Sequence, residues 1–204
     1  MDSSWVSSCR AFADAAEWFV STAALVDDRW TLPGLGEWDV RSLVGHTSRS
    51  LLTVETYLSC PAEFISVESA AEYFKVTKAI ATNQPVAARG RDAREDLGMD
   101  PAAAVADIAA RVVPVVVACE GAELITTIAG GMRLRDYLPT RTFELVVHTA
   151  DLRMALDMPA DAPGTAAARA LELVAQLAVA GGLAGPLLLA ATGRQGLPAS
   201  FSVS

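Results

Sequence analysis

The chain has 204 residues, 52% of them hydrophobic and 20% charged. That length and balance describe a globular chain of ordinary domain size, able to bury a core without staples, and exclude a disordered one. The net charge is −8 and no basic run is present, so binding nucleic acid by phosphate neutralisation is not expected.

Trp5, Cys9, Phe12, Ala16, Phe19, Val20 and Ala23 recur at steps of three and four. This spacing predicts an amphipathic helix, with Ser3 or Ser4 as N-cap and an end near Asp27 and Asp28. Residues 31–37, with Pro33, Gly34 and Gly36, read as a loop. Asp39 is a good N-cap for a second helix whose inner stripe is Val40, Leu43, Val44, Thr47, Leu51, Val54 and Leu58. His46 lies on the flank of that stripe, and Cys60-Pro61 closes the helix. Ser66 is the expected cap of a third helix running to Ala81, with a thinner apolar face of Ala70, Phe74, Thr77 and Ile80. Residues 83–98 are polar and read as a loop. Asp100-Pro101 then starts a helix carrying Val105, Ile108, Val112, Val115 and Val116, with a kink expected at Pro114.

Residues 123–134 lean towards β structure and are broken by Gly130-Gly131, so a short strand or extended loop is expected. One helical turn over 135–138 is expected next, followed by Pro139 and a helix over 140–156. A Pro-rich connector spans 158–164, and a further helix over 165–180 turns Ala166, Leu173, Leu177 and Ala180 inward. Residues 187–191 and 201–203 read as two short strands joined by a turn at 193–196. The apolar run 173–191 is long enough to span a bilayer. Gly181, Gly182, Gly185 and Pro186 break it, so two elements with a turn are expected and no membrane association.

Cys9, Cys60 and Cys119 are odd in number and form no Cys-x-x-Cys. A disulfide framework or thiolate zinc site is therefore not expected, and reduced thiols in the cytoplasm fit better. The N-terminus lacks the basic and apolar regions of a signal peptide. Four long helices with short loops predict a helical bundle.

The segment Arg141-Thr-Phe-Glu144-Leu-Val-Val-His148-Thr-Ala-Asp151 carries the chemistry. Glu144 and His148 are four apart, so a helix places them on one face. With Asp151 and Ala155 they form a polar stripe beside the apolar stripe of Leu145, Leu152 and Leu156. A lone histidine bordering an apolar face is commonly structural. The chain has only two histidines, and one of them is paired with a carboxylate. That favours His46, Glu144 and His148 meeting at one divalent metal. Two imidazoles and a carboxylate suit Zn²⁺ with a fourth position open, although other first-row metals accept the same donors. The order Glu-x-x-x-His is not His-Glu-x-x-His, so the zinc-peptidase base is absent. No Gly-x-Ser-x-Gly, GxGxxG or Walker motif occurs.

Glu37-Trp-Asp-Val-Arg-Ser-Leu-Val-Gly-His46 after a Pro-Gly loop resembles the second-helix motif of the mycothiol-dependent maleylpyruvate isomerase family. That family belongs to the DinB-like metal-binding bundles. Arg141 to Leu152 resembles its fourth-helix motif. The closing Thr192-Gly-Arg194, Leu197-Pro and Phe201-Ser-Val resemble its C-terminal extension, without a full-length C-terminal domain. The resemblance implies a mainly α, DinB-like four-helix bundle over residues 1–158, with a small α/β C-terminal extension over 159–204. It places the family's histidine, glutamate and second histidine on His46, Glu144 and His148, around a divalent metal, usually zinc. It further implies a low-molecular-weight thiol cofactor, mycothiol or another, used for isomerisation or S-transfer on a small electrophile. Arg141 and Asp151 are then the catalytic candidates and Arg153 the cofactor-binding one. Either arginine is suited to a carboxylate by bidentate hydrogen bonds, and Asp151 to orienting a ligand. A non-catalytic metal-binding bundle that dimerises or senses metal is the alternative, and a homodimer is compatible with both.

Overall fold

The computed structural model describes residues 3–81 and 94–203. The apolar periodicities become helices α1 (Ser3–Ala23), α2 (Val40–Leu58), α3 (Ala70–Ala81), α4 (Pro101–Ala118), α5 (Leu134–Ala155), α6 (Gly164–Ala180) and α7 (Ala184–Ala191). Between α4 and α5 lie β1 (Leu124–Thr127) and β2 (Gly130–Arg133). The fold is therefore mainly α with a small extension, as expected. The loop predicted over 83–98 lies outside the described residues up to residue 93.

Four long helices close a ring: α1 packs on α4 and α5, and α2 packs on the same two. Their shared core holds Trp5, Phe12 and Phe19 from α1, Leu43 and Leu51 from α2, Val105 and Val112 from α4, and Leu145 and Leu152 from α5. Each such side chain contributes about 1.5–3 kcal/mol when fully buried. The Trp5 indole, buried with the rest, donates to the Cys119 carbonyl at 2.8 Å, so its N–H is not stranded. Gly121 follows at φ 82°, and a Cβ there would meet Trp5 ring carbons at 2.7–2.8 Å. Conformation and space thus both demand glycine. Helix α6 lies against α1 and α5, α3 crosses α5 and α6, and α7 touches α6.

The caps on α2 and α4 form as predicted. Asp39 Oδ1 accepts from Ser42 N at 2.8 Å, and Asp100 Oδ1 from Ala103 N at 3.0 Å. Four expectations change. First, α1 ends at Ala23, before Asp27, which sits at φ 55°. Second, Ser66 does not cap α3. Its amide and that of Val67 are both taken by the Gly131 carbonyl, at 2.7 and 3.1 Å. The helix starts after Ser69, whose hydroxyl accepts from Glu72 N at 3.2 Å. Third, Pro139 does not separate two helices. It falls inside α5, where Thr140 and Thr142 hydroxyls donate to the Tyr137 and Leu138 carbonyls. Hydroxyl bonds of this kind bend a helix, and the proline leaves the Arg135 carbonyl without its helical amide, yet α5 runs through both.

The fourth change concerns β structure. The extended stretch at 123–134 is a full antiparallel hairpin, with Leu124 facing Arg133 and Thr127 facing Gly130. The two strands expected at the C-terminus are not there. Residues 184–191 are helical, and no strand occurs among the described residues beyond them. Leu-Leu-Leu-Ala-Ala has strong helix propensity and no β-branched residue. Pro186 sits in the first turn of α7, where its missing N–H has no helical partner to lose. The apolar run 173–191 is accordingly two helices broken at Gly181 and Gly182. Among the described residues one helix, α4, is long and apolar enough to cross a membrane, and in the fold it packs on α1 and α2.

Candidate metal centre

Helix α5 holds one polar stripe against the core. Arg141, Glu144, His148 and Asp151 follow steps of three and four, so they share a face. The neighbouring Phe143, Leu145 and Leu152 are buried and lock the rotation of the helix. Across from this stripe, α2 presents His46 from the flank of its buried row of Leu43, Val44 and Thr47. The imidazoles of His46 and His148 meet edge to face, with ring centroids 5.1 Å apart. Trp38, just before α2, covers His46 at 4.5 Å.

One donor atom from each of His46, Glu144 and His148 lies within 4.8 Å of the other two. His148 Nε2 is 3.1 Å from Glu144 Oε2, and its Nδ1 is 3.2 Å from Asp151 Oδ2. An N–H on Nδ1 donating to Asp151 leaves Nε2 directed at the cluster. This carboxylate–imidazole arrangement is the one that orients metal-binding histidines. The donor set, two imidazoles and one carboxylate, fits Zn²⁺ or a similar first-row cation with a position left over. Side-chain exposure of His148, Glu144 and Asp151 is 15%, 21% and 25%, so a ligand can reach that position from solvent.

The electrostatics follow from the same contacts. Burial pushes the His148 imidazolium towards losing its proton, but the hydrogen bonds to Asp151 and Glu144 outweigh this and raise its pKa to about 9. For Glu144, burial favours the neutral acid. The His148 hydrogen bond and the nearby Arg141, His148 and His46 charges win, holding the carboxyl below its ordinary range. Without metal the cluster is thus a carboxylate closed on an imidazolium, and a cation must displace the His148 proton to bind.

The sequence candidates separate. His46, Glu144 and His148 come together, with Asp151 directly behind His148. Arg141 lies at the Glu144 end of the stripe, its guanidinium carbon 5.1 Å from the Tyr137 ring centroid and 5.5 Å from that of Tyr73. Arg153 is not brought to the cluster. It is nine residues beyond Glu144, about half a turn round the helix. There it donates to the Pro159 carbonyl and, at 3.4 Å, to Thr22 Oγ1, and lies over Trp18. Its contacts tie α5 to α1 and to the connector before α6. Sequence reasoning missed Trp38 and the tyrosines. Tyr137 stands four residues before Arg141, a spacing visible in the sequence, whereas Tyr73 arrives from α3 with no local signal.

A separate cavity of about 200 Å³ lies between α3, α5 and α6, lined in part by Asp136, Arg169 and Glu172. Its charged lining is already engaged: Asp136 with Arg133 at 3.7 Å, Arg169 with Glu172 at 2.7 Å, and Arg135 with the Gly121 carbonyl at 3.1 Å. It therefore offers less chemistry than the cluster.

A family model described as mycothiol maleylpyruvate isomerase N-terminal domain matches residues 10–153. That span covers most of α1, all of α2 to α4 and nearly all of α5, including every residue of the cluster. No curated protein and no solved structure gives a significant match.

Proposed function

We propose, because the chain belongs to the family of mycothiol maleylpyruvate isomerase N-terminal domains, that it is a metal-dependent enzyme. It uses a low-molecular-weight thiol, mycothiol or another, for isomerisation of a small electrophile or for S-transfer onto it. The observation that carries this reading is the convergence of His46, Glu144 and His148 donor atoms within 4.8 Å, with Asp151 on the far side of the His148 ring. A divalent cation held by these three side chains, Zn²⁺ by the nature of the donors, supplies a Lewis-acidic position that favours a thiol's thiolate at neutral pH.

The chain's own residues do the rest. Asp151 accepts the Nδ1 proton of His148 and fixes which ring nitrogen faces the cluster. Glu144 contributes one negative charge, so three protein ligands leave a dication with net positive charge for an anionic sulfur. Trp38, tilted against His46 with ring centroids 4.5 Å apart, restricts that ring's rotation and covers it on one side. We take residues 159–204 as an extension outside this machinery. The three thiols of the chain are free, which suits a reducing cytoplasmic setting.

Metal analysis of the purified protein against His148→Ala comes first. About one equivalent in the wild type and little in the variant is expected, and equal content in both overturns the metal reading. Zinc-loaded protein is then assayed for thiol consumption with mycothiol against a panel of activated alkenes and alkyl halides. Turnover that needs both metal and thiol is expected. Tight metal binding with no turnover across the panel replaces this reading with a non-catalytic metal-binding bundle.

A further inference from the structure

The three tyrosines of the chain, Tyr57, Tyr73 and Tyr137, come from three different helices and form one ring cluster, two members of which face the Arg141 guanidinium. Arg141 lies over the rings of Tyr73 and Tyr137. Tyr137 meets Tyr73 edge to face and Tyr57 at a tilt, each with ring centroids 5.4 Å apart. Tyr73 and Tyr137 are buried, so the charge is held against aromatic faces with solvent on only part of its surface.

Such a box stabilises a cation but satisfies few of its donors. A guanidinium carries five N–H groups. Here Nε donates to Thr140 Oγ1 at 3.0 Å, and among the described residues neither Nη nitrogen has a hydrogen-bond acceptor. The nearest acid in the stripe, Glu144, is engaged with His148 instead. The fork of Arg141 is thus left open towards solvent, where a ligand can reach it. It lies one turn from Glu144 on the stripe that also bears His148.

We infer that Arg141 with its tyrosine box is a carboxylate-recognition subsite, which orients a ligand whose reacting end lies at the His46–Glu144–His148 cluster. This rests on the metal reading above for the position of the reacting end. It assigns anion recognition to the bundle itself. A single planar fork matches a carboxylate bidentately. A dianionic phosphate calls for more positive charge than one arginine beside Glu144 provides. Neighbours at i and i+3 on a helix are about 4.5 Å apart along its axis, so the ligand class is a short acid, with its carboxylate a few bonds from the sulfur or electrophilic carbon. Burial opposes the Arg141 charge, but the facing tyrosines and Glu144 outweigh it, so the cation persists through the physiological range.

Mercaptoacetate and 2-mercaptoethanol, equally short thiols differing in the carboxylate, are the probes. In the cobalt-loaded full chain, sulfur-to-cobalt absorption reads their affinities. Mercaptoacetate is expected to bind at least about tenfold tighter, a tenfold preference being about 1.4 kcal/mol. Arg141→Gln is expected to reduce the preference below about twofold, with Arg141→Lys intermediate and Tyr73→Phe weakening it without loss of metal. An equal preference in Arg141→Gln, or none in the wild type, overturns the subsite. The metal-free wild type gives a second readout, the Arg141 Nε–H resonance, which mercaptoacetate shifts and mercaptoethanol does not. If cobalt fails to bind, the metal reading falls while this resonance still decides the subsite. An unmoved resonance then overturns it, and it also decides the matter if the Arg141 variants do not fold.

Discussion

Arg141 and Arg153 stand on the same helix, twelve residues apart in a segment that carries both as equivalent candidates by composition. In the fold they do opposite things. Arg153 spends its donors on the Pro159 carbonyl and Thr22 and rests on Trp18. It is a strap between α5, α1 and the connector to α6. Arg141 bonds Thr140 through Nε, sits among tyrosines and keeps its fork open beside Glu144 and His148. A side chain whose donors reach across to other elements, as Nε and one Nη of Arg153 do, stabilises the fold. One whose donors are left over, next to other groups with spare valence, is available to a ligand. That distinction, and not the residue type, separates the two faces of α5.

The largest test of the comparison is on the open face. His148→Ala removes one of three donors and should lower metal affinity by more than about 100-fold, beyond the effect of disturbing an outer hydrogen bond. Competition with a chelator of known affinity measures it, and the folded state should survive, since His148 is not in the apolar core. A wild-type affinity in the variant would erase the difference between the two faces. Next in size, Asp151→Asn leaves the donors intact but no longer favours the right tautomer of His148, and should weaken metal binding by about 10–100-fold. On the strapped face, Arg153→Ala should lower stability by about 1–2 kcal/mol through its hydrogen bonds and its contact with Trp18. Urea unfolding reads that loss, and metal affinity should not change. If Arg153→Ala instead lowered metal affinity as far as Asp151→Asn, the strap would belong to the site.

The smallest and most specific test is pH. In the metal-free protein the His148 pKa is raised to about 9, above its unfolded value of about 6.5. Its bonds to Asp151 and Glu144 therefore stabilise the fold fully below about pH 6.5, and that contribution is lost as pH rises through about 9. The urea midpoint of the metal-free wild type should fall between pH 6.5 and 9.5. His148→Ala should show a flatter profile. Arg153 makes no contact with His148, so Arg153→Ala should shift the whole curve without changing its slope. A wild-type slope retained in His148→Ala would place the titrating group elsewhere.

Much of this was legible in the chain. The apolar steps in α1, α2 and α4 located those helices because helical periodicity is a local property, repeated over many residues. Asp39 and Asp100 marked helix starts because capping needs only a side chain and an amide three residues on. The Glu144–His148–Asp151 stripe was visible for the same reason. The failures came where long-range partners compete with local preference. Ser66 is instead held by its amide to the Gly131 carbonyl of a hairpin more than sixty residues away, and Ser69 supplies the cap. Pro139 read as a break because proline removes a helical amide, whereas in the fold α5 continues through it with Leu134, Leu138, Leu145 and Leu152 buried in the common core. The C-terminal Leu-Leu-Leu read as a strand because a short apolar run carries no period to choose by.

The sequence by itself determined a mainly α chain with a Glu–His–Asp face on one helix and a second histidine flanking another. Those facts depend on spacings of three and four residues, and backbone geometry converts such spacings directly into shared faces. Only the tertiary structure decided that His46 closes on that face, that Arg141 meets Tyr73 as well as Tyr137, and that Arg153 turns away to Thr22. The pairings of His46 with His148, Tyr73 with Arg141 and Thr22 with Arg153 join residues dozens to more than a hundred positions apart. Their geometry is set by how four helices bury a common core, which no local pattern encodes.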